Sequence, residues 1–155
     1  MTPTFNAVIP APFGAVGIRT QDDFLTGLRL MTEAPACFIP DDTFVQYVAS
    51  QISRYFHNPG TVLDIPIAVK GTPFQKRVWQ TMSTVPVGKV ITYGELATRV
   101  GSGPRAVANV CGANHVPLVI PCHRIVAKNG LGGFMQGDAQ GLAIKTWLLK
   151  HEASI

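Results

Sequence analysis

Residues Pro121-Cys122-His123-Arg124 place a thiol, an imidazole and a guanidinium on consecutive positions behind a proline. Val116-Pro117-Leu118-Val119-Ile120 feeds into them as a strand-like apolar run that reads as buried. The pattern describes a thiol at the floor of a pocket, ready to act as a nucleophile. A free cysteine is only roughly a few per cent thiolate at neutral pH, so its neighbours decide whether it reacts. His123 is a base that could take the proton, although a histidine considered alone is more often a packed core residue. At this level the pair fits several chemistries, including a thiol hydrolase. A hydrolase should carry its base far away in sequence and show some oxyanion-hole signature, which is not evident.

The elements that must position these residues are marked by clear boundary signals. Thr72-Pro73-Phe74-Gln75 combines a hydroxyl N-cap, a proline at the first helical position and a capping-box glutamine, with Phe74, Val78 and Met82 on one face. Val85 to Val90 is a break. Thr92-Tyr93-Gly94-Glu95 repeats the capping-box pattern and leads through Leu96, Ala97 and Val100. Gly101-Ser102-Gly103 turns the chain, and Pro104 opens a short helix through Val107 and Val110. The last helix is expected from Leu142 to His151.

The two short helices, Tyr93 to Val100 and Pro104 to Gly112, have helix-turn-helix proportions, though an ordinary helical hairpin explains the spacing equally simply. Arg105 shifts the balance. It lies in the first turn of the second helix, where a cation opposes the helix dipole. The same helix carries Ala106, Ala108 and Ala113, a smooth surface that could approach a groove closely, with one long cationic side chain at its start.

The first forty residues read as strands: Ala7-Val8-Ile9 and Ala15-Val16-Gly17-Ile18 flank a turn-rich Pro10 to Gly14, and a third runs from Phe24 to Leu30. Asp41-Asp42 opens a helix with apolar positions Phe44, Val45, Val48, Ile52, Tyr55 and Phe56, and Asn58-Pro59-Gly60 stops it. This lobe carries no chemical motif. The boundary is expected near residue 68, giving lobes 1–68 and 69–155.

From Thr72 onward the chain resembles the O6-alkylguanine-DNA alkyltransferases, also called methylated-DNA–protein-cysteine methyltransferases. The resemblance is carried by Arg105-Ala106-Val107, Asn114 and Pro117-Leu118-Val119-Ile120-Pro121-Cys122-His123-Arg124-Ile125-Val126. Phe74-Gln75, Val78-Trp79, Gly88-Lys89-Val90, Thr92-Tyr93 and the terminal Lys145-x-Trp147-Leu148-Leu149-x-His151-Glu152 follow in the family's order. It implies an α+β fold, with a small ribonuclease H-like N-terminal α/β lobe and a mostly helical C-terminal lobe containing a helix-turn-helix.

The resemblance also implies a function: DNA repair in which the O6-alkyl group of a flipped-out guanine moves irreversibly to Cys122, with O4-alkylthymine as a further substrate. His123 would take the thiol proton through a bound water, and Glu152 would orient and charge the imidazole, the base-plus-orienter logic of a triad. Tyr93 would donate to N3 of the flipped base, and Asn114 would be the hinge joining the recognition helix to the active-site strand. Arg105 would fill the space left by the flipped nucleotide, with Ala106 and Ala108 against the minor groove. Ile125, Phe134 and Met135 would wall the substrate pocket, and Arg124 would be a structural ion-pair or packing residue. A lesion sensor that flips alkylguanine without repairing it is the alternative, and the presence of Cys122 counts against it.

Composition fits this reading without requiring it. Only 14% of residues are charged and 46% are hydrophobic, so a packed interior is expected. A formal charge of +4 permits nucleic-acid binding. Cys37, Cys111 and Cys122 form no Cys-x-x-Cys spacing, so a disulfide framework is not expected and a reducing cytoplasm suits the chain. No secretory signal or membrane-length apolar run is visible. No metal or other cofactor is expected, and the protein is expected to act as a monomer on double-stranded DNA. The loop Gly132-Gly133-Phe134-Met135-Gln136-Gly137 departs from the family's usual Gly-Tyr pattern.

Overall fold

The computed structural model describes residues 5–33, 35–134 and 139–153, and divides into two units between Val69 and Lys70. Alternating and continuous apolar stretches in the N-terminal unit give three antiparallel strands in the order β1 (Ala7–Ala11), β2 (Gly14–Gln21), β3 (Phe24–Met31). Asp22 and Asp23 take left-handed φ values of 53° and 62°, the geometry that closes a tight hairpin between β2 and β3. Helix α1 (Thr43–His57) begins where the Asp42 side chain accepts from the Val45 amide at 3.0 Å. It lays Val45, Val48, Ala49, Ile52 and Tyr55 against β1 and β2.

The C-terminal unit is mostly helical. Helix α2 (Pro73–Met82) has both halves of its capping box, with Thr72 and Gln75 exchanging side-chain and backbone bonds. A two-residue strand β4 (Ile91–Thr92) leads into α3 (Tyr93–Val100), and Gly101, left-handed at φ 71°, ends it. Helix α4 (Pro104–Gly112) follows and packs on both α2 and α3. The buried Trp79 donates from Nε1 to the Val110 carbonyl at 3.2 Å, tying α2 to the end of α4. A single 3₁₀ turn (Cys122–Arg124) is followed by β5 (Ile125–Val126), which pairs in parallel with β4 through Ile91–Ile125 and Thr92–Val126. Helix α5 (Ala139–His151) closes the unit. No helix among the described residues is long and apolar enough to cross a membrane.

Three sequence-based expectations are corrected. Val116 to Ile120 is buried at four of its five positions but is a tight turn, not a strand: Pro117 bridges Ile120 and Leu118 has φ 78°. Pro117 and Pro121 bracket the segment and supply no backbone N–H, so a regular ladder is denied at both ends. Thr92 does cap α3 by accepting from the Glu95 amide at 3.0 Å, but the Glu95 carboxylate bonds Arg99 one turn ahead, not the Thr92 amide. The last helix starts at Ala139, three residues earlier than expected. Alanine and glutamine are good helix formers, and Gly141 is tolerated within the first turn.

Candidate active site

Cys122 is 6% exposed and opens the 3₁₀ turn, with its amide donating to the Ile120 carbonyl at 2.8 Å. Asn114 holds the turn that delivers it: Nδ2 donates to the Ile120 carbonyl at 2.8 Å, and Oδ1 accepts from the Val116 amide at 3.0 Å. Burial pushes the Cys122 thiol up to about 11, against a hydrogen bond from Asn114 and the positive charge of Lys145, which pull it down. A thiol so placed is protonated at neutral pH and needs a base to become a nucleophile.

The candidate base lies next to it in sequence. His123 is fully buried, its Nε2 is 2.9 Å from Glu152 Oε2, and its Nδ1 makes no hydrogen bond among the described residues. Burial lowers the imidazole pKa, opposed by the hydrogen bond and charge of Glu152. Glu152 arrives from just past the end of α5, where its amide bonds the Leu148 carbonyl at 3.0 Å. Arg124 completes the cluster: Nε donates to Glu152 Oε1 at 2.9 Å, one terminal nitrogen to Oε2 at 3.0 Å and the other to the Val85 carbonyl at 2.8 Å. A thiol, a neutral imidazole and an ion-paired carboxylate are thus assembled from one turn and the far end of the chain.

The β4–β5 pair brings Tyr93 beside the segment that follows Arg124. The Tyr93 hydroxyl donates to the Gly133 carbonyl at 3.3 Å, and burial raises its pKa to about 12, so it remains a donor at neutral pH. Gly132, left-handed at φ 75°, lies flat on this ring: a Cβ there would stand 2.7 Å from the Tyr93 edge. Ile125 and Phe134 are buried beside this loop; Met135 lies outside the described residues.

Lys145 is the residue that sequence reasoning left without a role. It is fully buried, and its ammonium donates to the carbonyls of Ile125 at 2.6 Å and Gly133 at 2.9 Å, 5.9 Å from the centre of the Tyr93 ring. Burial lowers its pKa to about 8, against the pull of Cys122 and Cys111. A single charged residue in the stretch Leu142 to Leu149, apolar but for it and Thr146, was the signal, because a lysine is almost never buried unless paired. Lys145→Met is expected to raise the Cys122 pKa further, by losing the cation that favours the thiolate. Ultraviolet titration of the thiolate reads this directly, and an unchanged curve would leave Lys145 only a strut for the loop. Cys111 is half-buried, its sulfur 3.8 Å from that of Met82.

Away from this pocket, α4 presents a different surface. Arg105 is exposed at its second position, while Ala106 and Ala108 are half-exposed and Val107 and Val110 face inward. Ten of the thirteen Lys and Arg residues, but only three of the nine acidic ones, lie beyond Val69. The unit that carries the thiol is therefore strongly cationic, which suits a polyanionic partner.

The fold and site define a class. Residues 73–154 match the family model of the 6-O-methylguanine DNA methyltransferase DNA-binding domain, and the chain belongs to that family. It is 31% identical over 157 residues to a methylated-DNA–protein-cysteine methyltransferase of Methanosarcina acetivorans, covering 97% of this chain and 99% of the relative. It is 41% identical over 108 residues to the enzyme of that name from Shigella flexneri, covering 68% of this chain and 61% of the relative. The crystal structure of Mycobacterium tuberculosis OGT in complex with DNA superposes with a TM-score of 0.77 at 30% identity, over 95% of this chain and 91% of that one.

Proposed function

We propose that this protein repairs DNA by transferring the O6-alkyl group of guanine to Cys122, once per molecule and irreversibly. The observation that carries the reading is the buried thiol of Cys122 beside an imidazole backed by Glu152, within the family's own domain. The thiol proton passes to His123 Nδ1 through a bound water. Sulfur then attacks the alkyl carbon, the bond from that carbon to O6 breaks, and its electron pair stays on the guanine. Displacement at an unactivated alkyl carbon needs a soft, strong nucleophile, which a thiolate supplies and an alkoxide does not. Tyr93 offsets the charge on the leaving base by donating to N3. Its bond to Gly133 is long enough to be exchanged for the base at little cost. The product is a thioether that nothing in the site can cleave, so the protein is consumed.

A base inside a duplex cannot reach a thiol this deeply buried, so the nucleotide must leave the stack. In this reading α3 and α4 act as a helix-turn-helix against the minor groove. Ala106 and Ala108 allow close approach, and Arg105 enters the stack where the nucleotide was. The N-terminal unit is a ribonuclease H-like lobe, the protein acts as a cytoplasmic monomer, and O4-alkylthymine is a second substrate. Asn114 staples the turn before Cys122, and its amide is placed to favour the thiolate.

Incubation with a duplex oligonucleotide containing O6-methylguanine, followed by mass spectrometry of the Cys122 peptide, tests the proposal. A methyl adduct with loss of the lesion is expected. Tight lesion binding with an unmodified peptide would overturn it in favour of a sensor. Arg105→Ala is expected to slow repair of duplex DNA far more than reaction with free O6-benzylguanine, since only the duplex has a gap to fill. Equal losses on both substrates would assign Arg105 a structural role.

A further inference from the structure

We propose that Arg124 is a positioning residue that sets the tautomer of His123: by holding both oxygens of Glu152 it keeps the carboxylate an acceptor, so that the imidazole hydrogen lies on Nε2 and Nδ1 is left as the base. The sequence alone marks Arg124 as a packing or ion-pair residue. The geometry gives it a more specific task, resting on the alkyl-acceptor reading of Cys122 but lying outside it.

The Glu152 carboxylate is fully buried, and Oε2 faces two partners at once, His123 Nε2 at 2.9 Å and a guanidinium nitrogen at 3.0 Å, while Oε1 takes Arg124 Nε at 2.9 Å. The guanidinium has no acceptor and does not lose its proton, so both contacts require lone pairs on the carboxylate oxygens. An ionised Glu152 accepts only. The atom facing it on His123 must then be a donor, which fixes hydrogen on Nε2 and bares Nδ1, the ring nitrogen with no partner among the described residues. Without a cation beside it, a carboxyl buried this deeply would favour its neutral acid. That acid would donate to Nε2, drive the imidazole hydrogen to Nδ1 and remove the lone pair on which thiol deprotonation depends.

The charged groups facing His123 are consistent with this assignment. Glu152 and Lys145 approach from α5 and the residue just after it, and Arg124 adjoins the imidazole on its own turn. Glu152 raises the basicity of the ring, whereas Arg124 and Lys145 lower it. Val85 contributes only its carbonyl, which anchors the other end of the guanidinium at 2.8 Å. A bidentate fork anchored on a third acceptor fixes orientation as well as charge, which a lysine does less completely.

Nitrogen NMR of histidine-labelled protein, without substrate, reads the tautomer directly. Native protein should show His123 with hydrogen on Nε2, and hydrogen on Nδ1 there would overturn the proposal outright. Arg124→Gln should shift the population towards the Nδ1–H form and slow transfer to Cys122 roughly tenfold or more, as for a weakened general base. Arg124→Lys should keep the Nε2–H form and recover most of the rate, because the charge that ionises Glu152 remains. A native tautomer in folded Arg124→Gln would overturn the proposal. So would an Nδ1–H tautomer in Arg124→Lys, and that variant decides the matter if Arg124→Gln does not fold. Absence of alkyl transfer in the native protein would defeat the proposed function and leave the tautomer assignment standing, since the spectra need no substrate.

Discussion

Cys122→Ala is expected to abolish alkyl transfer completely while leaving the fold and lesion binding in place. Cys122 is the candidate acceptor, on the turn held by Asn114 and next to His123. Cys111, half-buried on α4, has its thiol raised to about 12 by burial and then by the charge of Cys122, so it does not substitute. Removing a small buried thiol costs little packing, on the order of 1 kcal/mol. Duplex binding by electrophoretic shift, beside single-turnover transfer, separates the two properties. Residual transfer at more than a trace would mean that the alkyl group goes elsewhere and would sink the assignment of Cys122 as acceptor.

Glu152→Ala should be nearly as damaging to transfer and much more damaging to stability. Its carboxylate is shared by His123 and Arg124, so its loss leaves a mostly buried guanidinium without its counter-charge. Breaking one side of a buried ion pair costs about 3 kcal/mol or more, roughly 10 °C in melting temperature for a chain of this size. Transfer should fall by about a hundredfold or more, because the imidazole loses the group that orients it and favours its protonated form. Reaction with free O6-benzylguanine, measured well below the melting temperature, isolates the chemical effect. A lowered melting temperature with an unchanged rate would make Glu152 a structural residue and would leave His123 working alone.

Much of the local structure was legible because its causes are local. Asp42, Thr72 and Thr92 cap the three helices they were read to cap, since each side-chain oxygen needs only an amide three residues ahead. The strands of the N-terminal sheet followed from their apolar patterning and turn residues. Val116 to Ile120 shows where such reading misleads. Burial was visible in its composition, but the same composition fits a strand or a tight turn, and the two prolines with a left-handed Leu118 decide for the turn. The β4–β5 pair was invisible for a different reason: two residues on each strand leave no period to detect.

By itself the sequence marked Cys122 and His123 as the candidate reacting groups. Cys122 and His123 are neighbours in the chain and Arg105 stands at the start of its helix, so the candidates are legible from adjacency and helix boundaries, while their roles came from the family resemblance. Only the tertiary structure decided how that chemistry is controlled. Glu152 meets His123 across 29 residues, Tyr93 meets Gly133 across 40, and Lys145 reaches Ile125 across 20. Contacts at such separations come from α5 and the short parallel pair folding back on the turn, a packing outcome that no window of local residues encodes. The adjacent thiol and imidazole are a property of the chain, whereas the carboxylate behind the imidazole and the lysine and tyrosine near the thiol are brought by the fold.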